Sequence, residues 1–101
     1  VKKLIALYTA PENADAFLSY FRDVHLPLVE KIPGLLRAES TLIERTLVGG
    51  PGYHLLVQME FADEQSFKAA MKSPENAAAG ADVANFGAGL ITLMSGSGME
   101  D

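Results

Sequence analysis

With 101 residues, of which 49% are hydrophobic and 21% charged, the chain has the length of one domain with a single core. Eight basic against thirteen acidic residues give a net charge of −5, and the three arginines and five lysines never cluster, which sets aside nucleic acid as a partner. No cysteine is present, so a disulfide framework, a thiol nucleophile and a thiolate metal site are excluded, and the chain fits a reducing, cytoplasmic setting.

The first residues, Val1-Lys2-Lys3-Leu4-Ile5-Ala6-Leu7, set basic side chains before an apolar run, but Pro11 and nearby acidic residues cut that run short. Lys3 to Thr9 therefore reads as a first strand, ended by Ala10-Pro11. No segment has the ~20 apolar residues of a membrane span, so no membrane partner is expected. Asn13 or a neighbour opens a long helix reaching about Val24. On it Phe17, Phe21 and His25 recur every four residues and share one face, with Leu18 and Leu28 beside them. Pro27 disfavours helical geometry at Leu26, which predicts a break or bend just past the imidazole. Leu26 to Ile32 has room for one more short turn before Pro33-Gly34 halts the helix.

From Leu35 to Leu47 the period changes to two. Leu36, Ala38, Ser40 and Leu42 point one way; Arg37, Glu39, Thr41, Ile43 and Arg45 point the other. Gly49-Gly50-Pro51-Gly52 is a turn signal, after which Tyr53, Leu55, Val57, Met59 and Phe61 alternate with His54, Leu56, Gln58 and Glu60, predicting an antiparallel hairpin with a long loop. Asp63 caps a helix through Lys72, with Phe67, Ala70 and Met71 as its buried stripe. Ser73-Pro74 starts an alanine-rich helix that Val83 and Phe86 must anchor. Leu90 to Met94 suits a central strand, and the glycines and serines after it predict a tail.

The order strand, helix, strand, strand, helix, strand predicts an α+β, ferredoxin-like βαββαβ domain over residues 1–95, with a flexible tail at 96–101. Its helices cover one face of a four-stranded antiparallel sheet. The other face, half polar on the second and third strands, meets the same face of a second copy, and the high apolar content favours this homodimer over a solvated sheet.

His25 is the principal functional candidate, because imidazole titrates near neutral pH and a partly apolar site shifts it readily. Tyr20, one turn earlier, reads either as a core tyrosine with its hydroxyl at the edge or as a group that orients a ligand or His25, and Tyr8 at the end of the first strand is a lesser candidate. His54 beside the turn reads as a surface or interface histidine, and two histidines do not make a metal site. The glycine loop lacks the helix and lysine of a phosphate loop. Asp82 and Asn85, three apart on one helical face, read as a solvated face, with the lining of a pocket mouth as the alternative.

The run Phe17-x-x-Tyr20-Phe21-x-x-x-His25-x-Pro27-Leu28, followed by Ile32-Pro33-Gly34-Leu35, resembles the signature of the EthD family of the dimeric α+β barrel superfamily. Phe61-Ala62-Asp63-x-x-x-Phe67 and Asp82-x-x-Asn85-Phe86 resemble that family's second half. The resemblance implies a homodimer with facing sheets and, in each subunit, a small pocket between sheet and helices. It also implies a link to bacterial breakdown of ethyl tert-butyl ether. Relatives in the superfamily include methylmuconolactone isomerases, cofactor-free quinol monooxygenases and haem-degrading enzymes. His25 matches the pocket histidine of the EthD-like isomerases, whereas their second-strand aromatic falls near Ala38 and their cysteines have no counterpart here. The expected function is thus binding of a small, largely apolar organic molecule, with oxidoreductase or isomerase-like chemistry, and with a carrier or a haem-binding barrel as alternatives. In the catalytic reading His25 exchanges a proton and Tyr20 orients it, inside walls formed by Phe17, Phe21, Leu36, Ala38, Val57, Phe67 and Phe86. None of these residues calls for a cofactor.

Overall fold

A computed structural model describes residues 1–100; Asp101, the end of the expected tail, lies outside the described residues. Strand β1 (Lys2–Thr9) leads to helix α1 (Ala14–Tyr20), a π-helical turn (Phe21–His25) and the short helix α2 (Leu26–Val29). A hairpin of β2 (Leu35–Leu42) and β3 (Tyr53–Phe61) follows, then α3 (Glu64–Met71), α4 (Pro74–Asp82), a 3₁₀ turn (Val83–Asn85) and β4 (Ile91–Ser97). The strands order as β2-β3-β1-β4, antiparallel at every junction, which is the ferredoxin-like arrangement, with the helices on one face.

The alternation in β1 and β3 decides which face the helices take. Leu4, Ala6 and Tyr8 are buried together with Leu55, Val57, Met59 and Phe61, and the helices press Phe17, Phe21, Val29, Ala70 and Ala79 onto them. Phe61 is completely buried, its ring edge-on to Phe67 at 5.6 Å. On the opposite face, alternation and register place Ile5, Leu7, Leu56 and Met94, with Leu7 directly across from Leu56 and Ile5 across from Met94. Charged residues border this apolar centre: Arg37 reaches both Glu39 and Glu60, and Lys3 donates to Gln58.

Four local expectations are revised by backbone detail. The helix does not break at Pro27, and the further short turn expected over Leu26 to Ile32 forms as α2. A π turn precedes the proline, and the chain continues helically through Val29, with the Glu30 amide bonded to the Leu26 carbonyl. β2 ends at Leu42 rather than Leu47; Ile43 makes one more bond to the His54 carbonyl, and then the glycine loop opens, with Gly49, Gly50 and Gly52 all at positive φ. β4 runs to Ser97, past the expected domain boundary at residue 95, because Gly96 and Ser97 pair with Lys3 and Lys2. His54 leaves the polar sheet face. An irregularity in the β1–β3 pairing sets Tyr53 opposite Thr9 and Leu55 opposite Tyr8, and the intervening His54 turns its ring toward Phe17 at 5.8 Å.

Candidate active site

The Asn13 side chain accepts the Ala16 amide, starting α1 so that Phe17 and Phe21 face the sheet. Beyond Tyr20 the backbone widens. The Leu26 amide reaches back to the Phe21 carbonyl, five residues earlier, which defines the π turn and ends it at His25. That turn sets the imidazole inside the helix layer, where the residue is only 5% exposed.

A second helix brings its partner. Ser73 caps α4 by accepting the Asn76 amide while its own hydroxyl donates to the Ala70 carbonyl, and Pro74 fills the first turn. α4 ends at Asp82, 8% exposed, with its carboxylate against the π turn. The His25 Nδ1 atom lies 3.0 Å from Asp82 Oδ2, the Tyr20 hydroxyl donates to Oδ1 at 2.6 Å, and Asn85 Nδ2 donates to the same oxygen at 3.0 Å. Phe86 closes over this group, its ring centroid 4.7 Å from that of His25 and 5.3 Å from that of Tyr20, where it stacks.

The electrostatics fix the protonation state. Burial opposes ionisation of Asp82, but the hydrogen bonds from Tyr20, Asn85 and His25 outweigh it and hold the carboxyl below its usual range. Burial dominates at His25 and lowers its pKa from 6.5, only partly countered by the Asp82 hydrogen bond and charge. The hydrogen bond to Asp82 also raises the pKa of the Tyr20 phenol. At neutral pH the trio is therefore a carboxylate, a neutral imidazole and a phenol. An ionised carboxylate only accepts, so the imidazole proton sits on Nδ1 and the free lone pair is on Nε2. Nε2 has no hydrogen-bond partner among the described residues and is not sealed from solvent; the sealed, unpaired side-chain atom among them is Nε2 of His54. The arrangement is that of a general base held in one tautomer.

His25 contributes to the wall of a cavity of about 60 Å³ between sheet and helices. Leu4, Ala6, Val57 and Met59 form its floor and Phe21, Val29, Ala79 and Val83 its roof, while Leu93, 57% exposed, marks where it reaches the surface. Its polar lining residues are Tyr8, His25 and Asn76.

The expected site residues divide accordingly. His25, Phe21 and Val57 line the cavity. Tyr20 is joined to His25 through Asp82. Phe86 covers the His25 ring and, with Phe17, lines a separate surface groove beside Pro11. Phe67 packs on Phe61 away from the cavity, and Ala38 lies under the core edge without lining it. Leu36 is not a wall residue: the β2–β3 register shifts between Leu35 and Arg37 and leaves it 61% exposed. The functional residue that sequence reasoning missed is Asp82, which is buried at the centre of the hydrogen bonds rather than solvated. The available signal was its place in Asp82-x-x-Asn85-Phe86. Among the described residues no group of three or more potential ligands could hold a metal ion, and no helix is long and apolar enough to cross a membrane.

Comparison with known proteins bears on the whole chain. An uncharacterised 11.0 kDa protein from the thcB–thcC intergenic region of Rhodococcus erythropolis is 30% identical over 92 residues, spanning 91% of this chain and 89% of that protein. The crystal structure of an EthD family protein from Bacillus halodurans C-125 is similar at 39% identity and a TM-score of 0.90, covering 97% of this chain and 98% of the other. A ferredoxin-like protein of unknown function from Thermobifida fusca YX, described as dimeric, shares the fold at 18% identity with a TM-score of 0.68, over 95% of this chain and 89% of its own. The EthD domain model matches residues 10–89, and on that match this chain belongs to the EthD family.

Proposed function

We propose that this chain is a homodimeric small-molecule-binding protein in which the His25–Asp82 pair moves a proton on a small, largely apolar ligand held between sheet and helices. The observation that carries the reading is the buried imidazole on the cavity wall, with Nδ1 committed to Asp82 at 3.0 Å and Nε2 left unpaired. Asp82 fixes the tautomer, Tyr20 and Asn85 keep Asp82 ionised and in place, and Phe86 packs its ring against the imidazole. A base, a carboxylate and phenols favour isomerase-like proton transfer within the broader oxidoreductase-or-isomerase expectation. The link to ethyl tert-butyl ether breakdown enters this reading only as a ligand class, small and mostly hydrocarbon.

The dimer is part of the proposal. Ile5, Leu7, Leu56 and Met94 form an apolar centre on a sheet face that no helix of the same chain covers, and charges of both signs border it, which suits a two-fold contact with a second copy. The dimeric description of the Thermobifida fusca structure supports the same assembly.

The test is an NMR titration of the isotopically labelled protein with small organics of four or five heavy atoms. Saturable shifts confined to the methyl groups of Val57, Val83 and Ile91 and to the His25 ring are expected. Shifts that avoid these residues, or binding and turnover unaltered in His25→Gln, would overturn the proposal. Saturable binding without turnover would instead identify a carrier that uses the same cavity.

A further inference from the structure

Resting on the proton-transfer reading above, we propose that the Tyr8 hydroxyl is a second catalytic group of the cavity, and that the ligand class is small neutral carbonyl compounds whose oxygen it binds while His25 removes the adjacent carbon-bound proton. Tyr8 is 1% exposed at the end of β1 and lines the cavity from the sheet side, whereas His25 lines it from the helix side. A ligand in the cavity is therefore approached from two walls. The Tyr8 ring is firmly placed: Phe17 meets it edge-on at 5.4 Å, Phe86 lies 5.7 Å away, and a Cβ on Gly87 would come within 2.9 Å of its Cε2.

Despite that burial, the Tyr8 hydroxyl has no hydrogen-bond partner among the described residues, and its oxygen is not sealed off. The phenol O–H is therefore free to donate to a molecule that reaches it. It is also the cavity's available donor. The Asn76 amide N–H groups point to the carbonyl and sulfur of Met71, and the His25 Nε2 atom carries a lone pair. Burial, reinforced by the negative charge of Asp82, pushes the Tyr8 pKa up to about 12, so the phenol keeps its proton and donates.

These groups select the ligand by chemistry. Its acceptor must be neutral, because an anion would be repelled by the negative charge of Asp82 behind a neutral imidazole and would find apolar walls elsewhere. Its body must be small, since about 60 Å³ is well under the ~150 Å³ that accommodates benzene. A short ketone satisfies both. His25 Nε2 takes the proton from the carbon next to the carbonyl, the C–H electron pair forms the carbon–carbon double bond, and the carbonyl π pair moves to oxygen. The resulting enolate accepts the Tyr8 hydrogen bond. Return of the proton from the imidazolium to carbon restores the ketone and the neutral base, so the step needs no oxidant, reductant or co-reactant.

The experiment uses 2-butanone with the full-length protein in D₂O near pH 7.5, following loss of the proton signals beside the carbonyl by NMR. Wild-type protein should accelerate exchange above buffer, and Tyr8→Phe should slow it by about 10²-fold, the loss typical of one oxyanion donor. Its affinity for 2-butanone should fall by no more than about tenfold. As a readout that needs no variant, the Tyr8 Cζ carbon of wild-type protein should shift on saturation with 2-butanone. If exchange is lost in His25→Gln but unchanged in folded Tyr8→Phe, the Tyr8 role is overturned and the His25 reading stands. If 2-butanone binds without exchange, the carbonyl step is overturned and the cavity remains a binding site. If it neither binds nor shifts the Tyr8 Cζ carbon, the assigned ligand class is wrong.

Discussion

The His25–Asp82 contact can be measured directly by a double-mutant cycle of His25→Ala, Asp82→Ala and the pair. The two side chains lie 3.0 Å apart and are 6% and 9% exposed, so neither water nor salt screens the bond appreciably. A hydrogen bond to a charged acceptor contributes about 1.5–3 kcal/mol, and the coupling at pH 7.5 should fall in that range. Each single variant costs more than the coupling. His25→Ala also removes a ring packed on Phe86, and Asp82→Ala strips the shared acceptor from Tyr20, Asn85 and His25 together. In a domain of this size 1 kcal/mol moves Tm by about 4–8 °C, so thermal melts should show a non-additivity of about 6–24 °C. Urea denaturation at one fixed protomer concentration gives the cycle cleanly, because dimerisation would otherwise add its own concentration dependence. A coupling near zero would refute the claim that the pair is engaged in the folded protein.

Three further outcomes follow from the same geometry. The His25 pKa is lowered from 6.5 by burial, so the unfolded chain binds the proton first; the stabilisation is full above pH 6.5 and is lost as pH falls through the folded value beneath it. Urea midpoints of wild-type protein should therefore drop between pH 7.5 and 5 by more than those of His25→Gln, and parallel declines would contradict the shift. Gly87→Ala places a Cβ 2.9 Å from the stiff, packed Tyr8 ring and should cost about 1–3 kcal/mol, read from the same melts; an unaffected midpoint would mean the ring has room to move. Leu56→Asp sets a carboxylate beside Leu7 at the centre of the uncovered sheet face and should yield monomers by light scattering at micromolar concentration, whereas an intact dimer would place the interface elsewhere.

Features that depend on near neighbours in the chain were readable from sequence. Asn13, Asp63 and Ser73 start their helices by accepting an amide three residues ahead, and each was identifiable from residue type and position. The four-residue spacing that placed His25 beside Phe21 survived the π turn, although the turn itself, which lets Pro27 sit in a continuing helix, left no periodic mark. Asp82 could not be read in the same way. Its partner His25 is 57 positions away, and beside alanines at the end of α4 an aspartate has the local character of a solvated face. His54 and Leu36 were misplaced for a related reason: one irregular residue in a strand pairing reverses the faces that strict alternation assigns. The last residues of β4 are weak strand formers, and backbone pairing with Lys2 and Lys3 rather than side-chain preference extends the strand there.

The proposed chemistry depends above all on a neutral histidine whose proton is on the nitrogen facing Asp82. Nitrogen-15 NMR of the His25 ring in wild-type protein, followed against pH, reads this state directly. The expected spectrum at pH 7.5 has a protonated Nδ1 and a lone pair on Nε2, with titration below 6.5. A ring protonated on Nε2 at that pH, or one already charged, would contradict the assignment of His25 as the base.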